Sequence, residues 1–148
     1  MYSFVLAVHN IVRWLVLIFG VFAIVRAYIG WFGKKEWTDL DDKLGLGFTV
    51  SLDVQFLLGL LLYLFLSPIT TSAFASFSAA MSDSATRYFL IEHSLMMLVA
   101  IILAHIGRSR ARKQEEDIRK YRTTAIYFTI AILFILVAIP WFRPLLPF

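Results

Sequence analysis

Four long apolar runs, separated by shorter polar stretches, organise this chain. They cover about 4–31, 44–66, 88–107 and 124–141, and each reaches the roughly 20 residues that an α-helix needs to cross a hydrocarbon core of about 30 Å. In lipid the backbone must satisfy its own hydrogen bonds, so the runs predict helices. The polar stretches are short enough to favour antiparallel neighbours. The predicted fold is all-α, an integral membrane up-down four-helix bundle forming a single domain over 1–148, with the first and third spans facing each other across the diagonal. The first span carries Arg13 in its middle and has neither a basic leader nor a small-residue cleavage site, so it is expected to be retained as a helix. Between the second and third spans, Phe74, Phe77 and Met81 fall at helical spacing. This is compatible with a short amphipathic helix at the membrane surface and equally with a mobile loop.

Composition agrees with the pattern. The chain is 60% hydrophobic and 16% aromatic, with a mean hydropathy of +0.78, outside the range of a soluble domain of this size. The formal net charge is +4, but the positive charge is concentrated between two apolar runs, which points to membrane orientation and not to nucleic-acid binding. The stretch 107–123 holds seven Lys and Arg, whereas the stretch between the second and third spans has only Arg87. The positive-inside rule then puts the basic loop 107–123 in the cytoplasm and both termini outside. The chain has no cysteine, which excludes disulfides, thiolate nucleophiles, thiolate-held clusters and covalently attached haem. Trp31, Trp37, Trp141 and Phe142 lie near the predicted interfaces, where aromatic belts are expected.

Ionisable residues inside the spans are costly and call for a partner or a function. His9 and His93 lie about 8–10 Å into the first and third spans from the outer side. Two imidazoles at one level on diagonal helices can take both axial positions of a haem iron; hydrogen-bonded or headgroup-level histidines are the plainer reading of the same spacing. Met97 would supply a soft wall one turn from His93, as would Met96, and Gly59 on the second span would leave room for a porphyrin edge. Arg87 and Arg143, with Arg13 deeper, are candidate partners for propionates. Glu92 would orient or neutralise the same outer site. Arg13 and Asp53 are expected to pair near mid-membrane and fix the packing of the first two spans. Gln55, Gly59 and Tyr63 recur every fourth residue, a stripe expected to mark helix contact. His105 has no second histidine at its level, so it is expected to be interfacial, with a five-coordinate haem or pigment as the other reading. No paired nucleophile and base, phosphate loop or convergent acid pair argues for an independent enzyme.

Several stretches, HNIVRWLVL, LDVQFLLGLLLYLFLSP, RYFLIEHSLMMLVAIILAHIGRSRARK and the closing AIPW, together resemble small bacterial four-helix membrane proteins labelled "cytochrome B", over essentially the whole chain. The resemblance implies a b-type haem, an electron-carrying protein or subunit of the bacterial inner (plasma) membrane, and His9 and His93 at the matching positions. At Asp53 the chain differs from relatives that carry histidine there. Such a protein would work beside other membrane subunits or as a homo-oligomer in the lipid bilayer, with quinone as a further partner. Two other readings stay open: a cofactor-free or pigment-binding accessory subunit of a respiratory or photosynthetic complex, and a small transporter using Arg13, Asp53 and Glu92.

Overall fold

The computed structural model describes residues 1–143; the last five residues of the expected single domain, 144–148, lie outside the described part. The described residues form helices α1 (Tyr2–Gly33), α2 (Asp39–Leu61), α3 (Pro68–Ala75), α4 (Phe77–Ser82), α5 (Ser84–Arg87), α6 (His93–Arg112) and α7 (Asp117–Ala138), with no strand among them. Single π turns, Leu62–Leu66 and Tyr88–Glu92, extend α2 and join α5 to α6. Four helical stretches are long and apolar enough to cross a membrane: α1, α2 with its π turn, α5 through α6, and α7. The expected all-α membrane bundle is therefore what the chain adopts, each span running a few residues beyond one or both of its apolar limits.

α1 packs against α2 and α7, and α6 packs closely against α7. α2 and α6 share a sparser contact. This is the neighbour order of an up-down bundle, with α1 diagonal to α6. Close approach rests on small residues: Ala23, Ala100, Ala104, Ala125 and Ala131 are all buried to 4% exposure or less. A Cβ added at Gly107 would fall on Tyr127 Cβ, and one added at Gly30 on the Tyr121 ring, so backbone and ring meet where only hydrogen fits. Across the other diagonal, Phe48 of α2 meets Phe128 of α7 edge-on, ring centroids 4.8 Å apart at 62°. These rings are essentially fully buried and fill the centre of the bundle on the side of the basic loop, here called the basic end. Many large apolar side chains, among them Phe22, Leu57, Leu95 and Val137, point outward with at least half their surface exposed. That surface suits lipid.

The basic end is tied by one buried carboxylate. Thr38 N-caps α2 and Asp41 follows three residues later, the spacing of a capping box. Asp41 accepts from the Thr38 amide at 2.9 Å and Thr38 Oγ1 at 2.6 Å, from Arg26 Nε at 2.9 Å and Nη2 at 3.1 Å, and from Tyr121 OH at 2.7 Å. Three of the four spanning helices converge on this side chain. The Trp37 amide also donates to Asp117 at 3.0 Å, joining the two loops of this end.

The opposite end, where the N-terminus lies, is looser. The stretch with Phe74, Phe77 and Met81 forms two short helices, α3 and α4, not one amphipathic helix, and its side chains diverge. Phe74 and Phe77 are at least half exposed, while Met81 packs on Ala73, Ala80 and Leu90. Both π turns sit at this end and are bridged by Tyr63 OH, which donates to Leu90 O at 3.0 Å. Thr70 Oγ1 donates to Tyr63 O at 2.8 Å, which ties α3 down on the first π turn.

Candidate functional site

Between the packed centre and this looser end the bundle holds a cavity of about 1020 Å³, at the top of the range for small-molecule sites. Its walls come from α1, α2 and α6, with the first π turn, α3 and the residues after α7 closing the end. The lining is predominantly apolar, including Leu6, Leu52, Leu98 and Ile101, with a few polar groups set into it. His9 and His93 both line this one cavity, as do Arg13, Gly59, Met97 and Arg143. The diagonal helices thus bring both histidines to a common space.

The environment of His93 determines its chemistry. Nδ1 lies 2.7 Å from Ala138 O. A carbonyl oxygen only accepts, so Nδ1 carries the proton and Nε2 keeps the lone pair that binds a metal. Ala138 O is free to accept because α7 ends there, leaving a carbonyl without an intrahelical donor. The same oxygen accepts from Tyr88 OH at 2.8 Å. The rings of Tyr88 and Phe89 stand 6.1 and 6.0 Å from the imidazole. His93 immediately follows the second π turn, whose extra residue rotates the following helix relative to α5 and so helps set which face His93 occupies.

His9 is held differently. A Cβ built on Gly59 would stand in ordinary contact with His9, 3.4 Å from Cε1, and Gly59 itself lines the cavity beside the imidazole. His9 Nδ1 is buried without a hydrogen-bond partner, and so is Gln55 Oε1. Buried polar atoms in folded proteins are nearly always paired, so orphans beside a cavity are the kind of groups a ligand satisfies. Gln55, Gly59 and Tyr63 all line the cavity, and the stripe also makes helix contacts, Gly59 against His9 of α1 and Tyr63 OH to Leu90 O. The sequence signal for Gln55 as a cavity residue is a polar side chain within an apolar run.

Other expectations are redistributed. Arg13 is 6% exposed and does not pair with Asp53: its Nη1 lies 3.5 Å from Asn10 Oδ1 and its guanidinium 5.8 Å from the Trp14 ring. Asp53 bonds to His105 instead, Oδ1 to Nε2 at 2.8 Å, with both side chains 48% exposed. His105, expected at the interface, is thus the partner of Asp53. α1 and α2 present Arg13 and Asp53 to different neighbours, which depth along a helix does not reveal. Glu92 and Arg87 pair with each other at 3.2 Å, and Arg87 also donates to Met81 O. Neither lines the cavity, so Glu92 does not orient His9 and Arg87 does not face the site. Met97 lines it and Met96 does not. Arg143 lies with its guanidinium 4.3 Å from the Phe89 ring centroid, where it caps the cavity near the chain's end.

Among the described residues no group of three or more His, Asp or Glu side chains converges in a way that would hold a bare metal ion. A macrocycle that brings its own equatorial nitrogens asks only one or two axial ligands of the protein. The residues present fit such a group: two imidazoles on one cavity, one with its tautomer defined, and two arginines on the same lining. No protein-family model, curated protein or solved structure matches this chain.

Proposed function

We propose that this protein is a b-type cytochrome of the bacterial inner membrane, or a cytochrome-like subunit of a larger membrane complex, that carries electrons through one haem in the cavity between α1, α2 and α6. The observation that supports this most is the pair His9 and His93 on one cavity, with His93 Nδ1 held by Ala138 O so that Nε2 is free to ligate. His93 and His9 would hold the haem iron. Arg13 and Arg143, from opposite parts of the lining, would neutralise propionates, while Met97 and the aliphatic walls exclude water from the macrocycle. Bound there, the haem would supply one-electron chemistry at its iron, and the protein would tune it by ligation and burial. Resemblance to membrane proteins labelled "cytochrome B" agrees with this reading, as does the positive-inside orientation with the cavity toward the outer face.

The test is the visible spectrum of detergent-solubilised protein, produced with haem supplied, before and after dithionite. A reduced b-type band, lost in both His9→Ala and His93→Ala, is the expected result. A colourless, fully helical preparation would refute the cytochrome and leave the accessory-subunit reading.

A further inference from the structure

A second, smaller hollow of about 370 Å³ lies at the basic end, walled by His105, Arg108, Ser109, Arg112 and Lys113. These positions advance by three, one, three and one, so they form a single stripe on α6. The stripe carries three fixed cations. Two carboxylates face it: Asp53, already hydrogen-bonded to His105, and Asp42. The Asp42 contacts are long, 3.7 Å from Arg108 Nη2 and 3.8 Å from Arg112 Nε, beyond hydrogen-bond reach. Arg108 Nε is buried with no hydrogen-bond partner. By contrast Arg110, on the same turn, is engaged elsewhere, donating to Tyr127 OH at 2.7 Å. The hollow therefore combines excess positive charge with two guanidinium groups, Arg108 and Arg112, that approach Asp42 only at 3.7 and 3.8 Å, and such groups donate readily to phosphate oxygens. Following α6 away from the basic end, Ile106 and Ile102 lie three and seven residues before Ser109, and they are 39% and 48% exposed. A phosphate seated in the hollow thus has an exposed apolar strip running from it into the membrane-spanning part of the helix.

We propose that this hollow binds the phosphate headgroup of an anionic phospholipid from the leaflet that meets the basic end, with an acyl chain along Ile106 and Ile102. The continuity of donors and apolar strip favours a lipid over a free phosphate ion. Basic pockets beside membrane helices recognise anionic headgroups in this way.

The experiment is native mass spectrometry of the whole protein released from nanodiscs of phosphatidylcholine mixed with phosphatidylglycerol, counting retained lipids. The wild-type protein should retain phosphatidylglycerol in preference to phosphatidylcholine. In Arg112→Gln/Lys113→Gln the preference should fall roughly 25-fold, at about fivefold per neutralised charge. Lys34→Gln/Lys35→Gln removes the same charge from another part of the basic end and should leave it unchanged. All four positions are exposed, so both variants should keep the wild-type circular dichroism. An equal loss in the two variants would mean diffuse attraction without a site and would overturn the proposal, as would a wild-type protein with no preference, a comparison that needs no variant. Displacement of the lipid by millimolar inorganic phosphate would identify a soluble anion as the ligand and would also overturn it. These outcomes do not depend on whether haem binds.

Discussion

Replacing His93 by asparagine separates its structural bond from its proposed ligation. The asparagine amide nitrogen occupies nearly the position of imidazole Nδ1, so it can still donate to Ala138 O, 2.7 Å from Nδ1 in the native side chain; it has nothing in place of Nε2. Alanine loses both. The lost hydrogen bond is worth about 1 kcal/mol, and the penalty stays near that value because Tyr88 OH still donates to the same oxygen. Loss of a ligand acts through linkage: a group present at a hundredfold excess over its Kd stabilises the folded state by about 2.7 kcal/mol. Without haem, His93→Asn should therefore unfold in a detergent denaturation series like the native chain, and His93→Ala about 1 kcal/mol earlier. With haem supplied, the native chain should gain stability and a reduced b-type band, and both variants should lose most of the gain and change or lose the band. An unaltered band in His93→Asn would refute ligation by Nε2. If the stability of His93→Asn without haem fell well below that of His93→Ala, the tautomer assignment would be wrong.

Further consequences concern the scaffold. Asp41→Ala should cost about 2–3 kcal/mol in a denaturant titration, less than a fully buried broken pair because the Arg26 side chain is 34% exposed; an unchanged midpoint would show that the basic end is not held by this carboxylate. Gly107→Ala places a methyl group on Tyr127 Cβ and should destabilise by about 1–3 kcal/mol as α6 and α7 are pushed apart, visible as a lower melting temperature by circular dichroism. Asp83 caps α5 by accepting from the Thr86 amide at 2.8 Å, and the Thr86 hydroxyl and amide together hold its carboxyl below the ordinary 3.8. A depressed carboxylate stabilises the folded form above its ordinary value and loses that contribution as pH falls through the lowered one. The Thr86 amide resonance should accordingly titrate with a midpoint below 3.8, and a midpoint at or above that value would refute the cap.

The spans and the all-α class were legible because they depend on local quantities: hydropathy summed over about 20 residues and the need of backbone groups in lipid to bond within their own segment. The diagonal relation of the first and third spans was legible for a similar reason, since short connections leave few ways to order four helices. Depth along a helix was also readable, and it brought His9 and His93 to one level. Rotation about the helix axis was not. The π turn Tyr88–Glu92 shifts the face of α6 by a residue that no apolar pattern marks, and Glu92, which depth alone placed beside the histidines, is instead bonded to Arg87.

Partners across helices were equally hidden. Asp53 and Arg13 are at comparable depth on adjacent helices, yet Asp53 bonds to His105. The choice depends on which faces of α1, α2 and α6 meet, and that follows from small residues and rings such as Gly107 against Tyr127 or Phe48 against Phe128. The Thr38 and Asp41 spacing could have been read as a helix start, but not the arrival there of Arg26 and Tyr121 from two other helices. Periodicity and hydropathy along the chain thus determined that there are four membrane helices and in what order they stand. Only packing decided which side chains share the cavity, because contact between faces is a property of pairs of helices and is not present in any one segment.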